Sequence, residues 1–390
     1  MMQQRLSQLD LLRVLSVGLV MYGHFVIVAG DATSIPTIIQ PGVALPIIDT
    51  ATWRLMVFEV FLVENMSTQS AVLGVSLFYM ITGYLVPMMM ERYSRSQFLI
   101  NRFFRIFPTL CAALIVISAF VFWAQGITFS LKSHIASHTL TYEFAQTVPV
   151  TAVLWTLVVE VLFYLLACLI GRFSFLRICV AQIGLLVLIL ASAAKPEWYF
   201  LKLAAIQAKY ILMILIGSAA FVAGKKSNLK RQVGIVIGAV VVSFSGFQIA
   251  RVAHQDLSSY ASLGNHLVAL AIFLGIQTRL IGWLGRLLPR KLLQTSDLVY
   301  PLYLMHASLG LPTMLMVRQF THDSFLILFA GIAVSMVASF ALHLLVEAPA
   351  IRLGRKCVNA IGPASHGDAA NGPRLEACLT SAGSDGRVSS

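Results

Sequence analysis

LDLLRVLSVGLVMYGHFVIVA, residues 9–29, is long and apolar enough to cross a bilayer, whose hydrocarbon core takes about 20 helical residues. Arg13 and His24 nevertheless interrupt it. An ionisable side chain inside a membrane is costly, about 3 kcal/mol for arginine on insertion scales, so it marks a function or a specific partner. Eleven positions at about 100° each carry the helix through three turns and about 20° more, so both side chains face the same way, about 16 Å apart along the axis. That stripe must face protein or a wet cavity, and the rest of the helix can face lipid.

The composition agrees. The 390-residue chain is 58% hydrophobic and 11% charged, against about 25% charged in soluble domains. The formal charge of +12 does not point to nucleic acid, because the basic residues fall between apolar runs, as topology determinants do. Asp10, Arg13 and His24 and the lack of a small-residue cleavage site argue against a removed signal peptide. None of the five cysteines falls in an outside loop of the topology below, so neither disulfides nor a metal site is expected.

Ten apolar spans are expected, at about 9–29, 72–90, 104–124, 151–170, 175–194, 203–223, 232–250, 261–281, 295–316 and 324–346. With the amino terminus inside, 18 Lys and Arg residues fall on inside segments and 6 on outside ones. That bias supports an all-α integral membrane protein, a bundle of about ten transmembrane helices with both termini cytoplasmic. The outside segment 30–71 contains TWRLMVFEVFLVEN, too short and too charged to span, which suits an interfacial or re-entrant helix. A second long outside loop, 125–150, carries His134, His138 and Glu143. The domain is expected over 1–356. Residues 357–390, rich in Ala, Gly and Ser, are expected to be a disordered cytoplasmic tail, too short for a fused hydrolase-like domain. No internal repeat is visible, which disfavours a transporter built on inverted repeats.

His24 is the leading candidate catalyst, since a buried imidazole is a base usable at neutral pH. Glu160, in LWTLVVEVLFYLL at a compatible depth, could orient it; alternatively Glu160 pairs structurally with Arg13 or Lys209. Arg102 and Arg105, in NRFFRIFP, share a helix face and could clamp a phosphate, or serve only as inside charge, and Pro108 is expected in the first turn of its span. GVSLFYMITGY, residues 74–84, offers small residues for close approach and the Thr82 hydroxyl. His306 lies inside span nine, and His343 and Glu347 close span ten, where packing and an ion pair are the plainer readings. No phosphate-binding GxxxxGK[ST], no HExxH and no GxSxG occurs.

Taken in order, these segments resemble the acyltransferase-3 family of integral-membrane O-acyltransferases. The opening helix with its Arg13-x10-His24 pair, GVSLFYMITGY, Arg102-x-x-Arg105-Ile106-Phe107-Pro108, Trp155-Thr156-Leu157-Val158-Val159-Glu160 with Phe163-Tyr164, YPLYLMH and VEAP are similar to the family's signatures over about residues 9–353. Thr82 stands where serine is commoner, Val161 where a second acid is frequent, and Ser76 where Asp is frequent.

The resemblance implies an acyl-CoA co-substrate, acetyl-CoA by default, reached from the cytoplasm, with no bound cofactor. It implies an acceptor hydroxyl on an envelope or secreted glycan, or a lipid-linked glycan, reached from the other side of a bacterial inner membrane. Arg13, Arg102 and Arg105 would hold the donor. His24, oriented by Glu160, would act as base or briefly carry the acyl group. Thr82 and neighbouring backbone would receive the oxyanion, with Tyr84, Trp155, Tyr164 and His306 as further candidates around them. The alternatives are the same chemistry on a small-molecule or lipid-linked acceptor, and a proton-coupled transporter of a glycan intermediate.

Overall fold

A computed structural model describes residues 2–30, 56–254, 262–277 and 295–361. The regular structure among these residues is helical throughout, and the protein is an all-α integral membrane protein. A helix stands at each of the ten expected spans: α1 (Met2–Gly30), α3 (Ser70–Met90), α4 (Arg95–Gln125), α6 (Leu154–Ile170), α7 (Phe175–Ala194), α8 (Tyr199–Ala223), α9 (Leu229–Ala253), α10 (Leu263–Gln277), α11 (Val299–Met305) continuing into α12 (Leu311–Arg318), and α13 (Ser324–Leu342) continuing into α14 (Ala348–Ala360). Eight of these stretches are long and apolar enough to cross a membrane, and Leu154–Ile170 and Leu263–Ile276 are shorter. Arg279, Arg286, Arg290 and Lys291, expected inside, lie outside the described residues, as do residues 362–390 of the expected tail; residues 357–360, expected in that tail, are helical instead.

Two short helices sit between spans. α2 (Met56–Met66) falls in the apolar stretch expected to be interfacial, and α5 (Leu131–His138) opens the second long loop. Glu59 of α2 is buried, and its Oε1 accepts a bond from the Ser70 amide at 3.0 Å. A carboxylate there satisfies one of the amides left open at the start of α3.

The helix ends follow local chemistry more than hydropathy. α4 starts at Arg95, ahead of the expected boundary at 104, because Ser94 and Gln97 form a capping box. Pro108 therefore stands inside the helix, not in its first turn. The last span likewise runs on to Ala360, past the expected 346, with α14 lying along the start of α4. Gly354 makes that approach possible: a Cβ there would lie 2.6 Å from the Phe104 Cβ.

The centre of the bundle is α3 packed on α8, with α1 against α3, and α7 and α9 against α8. Lipid offers no hydrophobic drive for helix association, so close packing and polar bonds must hold helices together. Glycines supply the packing. Gly83 of α3 and Gly217 of α8 face each other's backbones, at the Ile214 and Met80 carbonyls. A Cβ on Gly74 would lie 2.5 Å from the Ser16 carbonyl, and one on Gly23 would lie 2.6 Å from Ser70 Oγ. Hydroxyls and amides supply the bonds. Ser218 Oγ donates to the Gly83 carbonyl at 2.9 Å, Ser243 Oγ to the Leu212 carbonyl at 2.7 Å, and Gln182 Nε2 to the Ala239 carbonyl at 2.9 Å. The opposite faces of α7 and α9 expose Val180, Ile183 and Val187, and Val233, Ile237 and Val241, as lipid contact requires.

The Gly83 contact has a direct test. Gly83→Val puts two methyl groups and a Cβ into the Ile214 carbonyl and should forfeit the α3–α8 contact. The thermal midpoint of the purified protein should fall by about 10 °C or more, whereas Gly184→Ala, facing open space, should leave it unchanged. An unshifted midpoint for Gly83→Val would refute this packing.

Candidate active site

α1 and α3 run antiparallel, with Gly74 level with Ser16 and Val20, and Gly23 level with Ser70 and Ala71. One face of each, together with α4, α6 and α11, encloses a cavity of about 990 Å³ including its open mouth. Three guanidiniums line it: Arg13 of α1, and Arg102 and Arg105 of α4. The i, i+3 spacing on α4 does what its geometry implies, turning both arginines toward Arg13.

Protein partners take up only part of the donors of these arginines. Arg13 binds Asp10 at 2.9 Å. Arg102 donates to Asn101 Oδ1 at 3.1 Å, meets Met89 Sδ at 3.0 Å and lies 5.6 Å from the centre of the Tyr164 ring, but its buried Nε has no partner among the described residues. Among the described residues Arg105 makes no hydrogen bond or ion pair. A second space shares Arg102 and Arg105 as walls and adds Arg92, Arg355, Tyr93 and Asn101. This end of the molecule is rich in donors arranged for anionic oxygens.

Glu160, Tyr164 and Thr156 of α6, Thr82 and Tyr79 of α3, Ser296 just ahead of α11, and Tyr300 and Tyr303 of α11 form the remaining polar wall. Glu160 accepts a short hydrogen bond from the Tyr164 hydroxyl, one helical turn on. The expected Glu160–His24 pair is therefore corrected: the carboxylate faces the arginine end, and neither Arg13 nor Lys209 forms an ion pair with it.

His24 has a different partner. Its Nδ1 lies 2.7 Å from His306 Nε2, with the ring planes within 4° and the ring centres 5.0 Å apart. This is an edge-to-edge bond in a common plane. His306 Nδ1 lies 2.7 Å from the Tyr303 carbonyl and 3.1 Å from that of Leu302. Carbonyls only accept, so Nδ1 of His306 must carry the proton. With both rings neutral, His306 Nε2 is then an acceptor, and His24 Nδ1–H donates to it. His24 Nε2 is left with its lone pair, and it has no partner among the described residues. A chain of backbone carbonyl, His306 and His24 thus sets one tautomer, as a carboxylate does in a hydrolase triad.

The local fold produces this contact. Residues His306–Gly310 form a π-helical turn between α11 and α12, and such turns recur at functional sites because the extra residue re-aims a side chain. Gly310 lets the turn lie against the Phe25 ring, next to His24. Buried Ser308 anchors it through Thr151 at 2.8 Å. A second π-helical turn, His343–Glu347, brings His343 Nδ1 to 2.7 Å from Glu347 Oε2, so the buried carboxylate has a partner on its own helix.

The other expected site residues divide. Tyr164 lines the cavity, whereas Tyr84 packs against Phe221 and Phe273, and Trp155 against Tyr210. Thr82 lines the cavity too, but it stands eight residues beyond Gly74, about 12 Å farther toward the arginines. It is thus remote from His24, and its expected role as oxyanion donor there is not what the geometry offers. Tyr303 joins the two ends. It lines the cavity, bonds Thr156 Oγ1 at 2.5 Å, and its ring centre is 5.8 Å from that of His306.

The pairing predicts coupled losses of acyl transfer, the activity implied by the sequence resemblance. His306→Ala and His24→Ala should each lower turnover about a hundredfold or more, and the double variant should be little worse than His24→Ala alone. Fully multiplicative losses in steady-state kinetics would contradict a shared relay.

A family model described as an acyltransferase domain, that of the acyltransferase-3 family, matches residues 6–344. No curated protein and no solved structure matches the chain. The matched region contains α1 with Arg13 and His24, the α4 arginines, Glu160 and His306, and on that basis the chain belongs to the acyltransferase-3 family and is a multi-pass membrane acyltransferase.

Proposed function

We propose that the protein transfers an acyl group, acetyl by default, from cytoplasmic acyl-CoA to a hydroxyl of an envelope or secreted glycan in a bacterial inner membrane. The observation that carries this reading is the cavity itself. Three guanidiniums stand at one end, and at the other the wall residue Tyr303 adjoins the His24–His306 pair. Acyl-CoA has the matching polarity, with phosphates at one end and a thioester at the other. With the amino terminus inside, as the charge bias suggests, Arg13 lies at the cytoplasmic end of α1 and His24 toward the far side, where a glycan hydroxyl arrives.

The chemistry follows from the tautomer. His24 Nε2 takes the proton of the acceptor hydroxyl as the oxygen attacks the thioester carbonyl. The tetrahedral intermediate collapses, the C–S bond breaks, and the imidazolium returns its proton to the departing thiolate. The products are an O-ester and CoA thiol. His306, held by the Tyr303 carbonyl, shares the charge that His24 gains during the reaction. Arg102 and Arg105 hold the phosphates, and Glu160 with Tyr164 borders the route between them and the histidines.

Proton NMR of envelope and secreted polysaccharide, before and after mild base, tests the reading in cells. Ester signals should vanish on deletion, return with the wild-type gene and stay absent with His24→Ala; unchanged esters in all three strains would rule out a glycan acceptor. In the purified enzyme, Arg105→Ala should raise KM for acetyl-CoA about tenfold or more with a weaker salt dependence, and an unaltered KM would remove Arg105 from the donor site.

A further inference from the structure

Four tyrosines line the cavity: Tyr79, Tyr164, Tyr300 and Tyr303. Three have hydroxyls already engaged. Tyr164 donates to Glu160, Tyr300 to the Ile106 carbonyl at 3.0 Å, and Tyr303 pairs with Thr156 at 2.5 Å. The Tyr79 hydroxyl is buried, in a residue only 4% exposed, and has no partner among the described residues. Its ring is fixed from behind by Tyr210, with ring centres 5.9 Å apart. A buried hydroxyl without a protein partner still needs one, and Tyr79, unlike the similarly unpartnered Ser70, Thr109 and Thr147, stands in the cavity wall, where the partner can come from a bound molecule.

Its depth says which group. Tyr79 stands nine residues beyond Ser70, which is level with Gly23, so its Cα lies about 13 Å nearer the arginine end than that level. Helical side chains tilt toward the helix amino terminus, here back toward His24. The hydroxyl therefore falls between the guanidiniums and the histidine pair, on the path that a donor must take. Between its phosphates and its thioester, acyl-CoA carries a pantetheine arm with two amides, each offering a carbonyl acceptor and an N–H donor. A hydroxyl serves either.

We propose that Tyr79 is a donor-binding residue whose hydroxyl hydrogen-bonds an amide of the pantetheine arm, so that the cavity recognises the arm as well as the phosphates. This rests on the acyl-CoA reading above, and nothing in that reading requires Tyr79. A site built to bond a polar group discriminates strongly against ligands that lack it, so the contact would select a pantetheine thioester over an apolar chain of similar length.

The test is equilibrium binding to the full-length protein in nanodiscs, using CoA and adenosine 3′,5′-bisphosphate as probes. The second probe keeps the nucleotide phosphates and lacks the arm. Tyr79→Phe removes one oxygen and keeps the ring against Tyr210, and Tyr79→Met serves as a second apolar replacement. Either variant should weaken CoA about tenfold, the worth of one hydrogen bond, and leave the bisphosphate unchanged. Arg105→Ala should weaken both probes. Unaltered CoA affinity in the Tyr79 variants, with Arg105→Ala still impaired, overturns the proposal and leaves the donor reading standing. Equal weakening of both probes by Tyr79→Phe also overturns it, because that marks a packing role. If the wild-type protein binds neither probe, the donor reading fails and this proposal fails with it.

Discussion

Ionisable side chains in a hydrocarbon slab must find one another or water, and this requirement organises the molecule. Arg13, His24, Arg102, Arg105, Glu160 and His306 all belong to apolar helices. Left facing lipid, each would oppose insertion. The fold turns them inward instead, either onto one cavity or, for the two histidines, onto each other beside it. The lipid-facing positions of α7 and α9 can then be uniformly apolar, and the interior holds nearly all the chemistry.

Close backbone contact makes such convergence sterically possible. Gly23 and Gly74 let α1 and α3 approach until Arg13 and Tyr79 share one wall, and Gly83 and Gly217 lock α3 to α8 behind it. The π-helical turn at His306–Gly310 adds a residue to one turn of an otherwise regular span and brings His306 to His24. The geometry of the proposed site therefore depends on glycines and on one irregular turn as much as on the histidines. Substitutions at Gly310, which lies against Phe25, should act on the His24–His306 pair from outside it.

Much of this is legible in the amino-acid sequence. The apolar runs and the distribution of Lys and Arg place helices at all ten spans. The Arg13–His24 spacing and the Arg102–Arg105 face point to an intramembrane site with an anion clamp. The partner of His24 is not legible in the same way. Glu160 and His306 both lie at plausible depths, and the choice between them depends on helix rotation and on a π-helical turn, neither of which leaves a periodic trace. The one clue in YPLYLMHASLG is a histidine followed by small residues in a span otherwise apolar. Thr82 misleads for a related reason, since a hydroxyl in a resembling motif says nothing of its level against α1. Tyr79 carries no signal at all, because an aromatic residue in an apolar stripe reads as core until its hydroxyl is found without a partner. Helix ends shift where caps, such as Ser94 with Gln97, outweigh hydropathy.

The central claim is that one cavity carries the donor from the arginines to the histidine pair. Electron cryomicroscopy of the protein in nanodiscs with saturating CoA tests it most directly. The account predicts phosphate density within hydrogen-bond reach of Arg102 and Arg105, the arm passing Tyr79, and the thiol beside Tyr303 and His24. CoA density outside the cavity, or with its thiol end at the arginines, would contradict it.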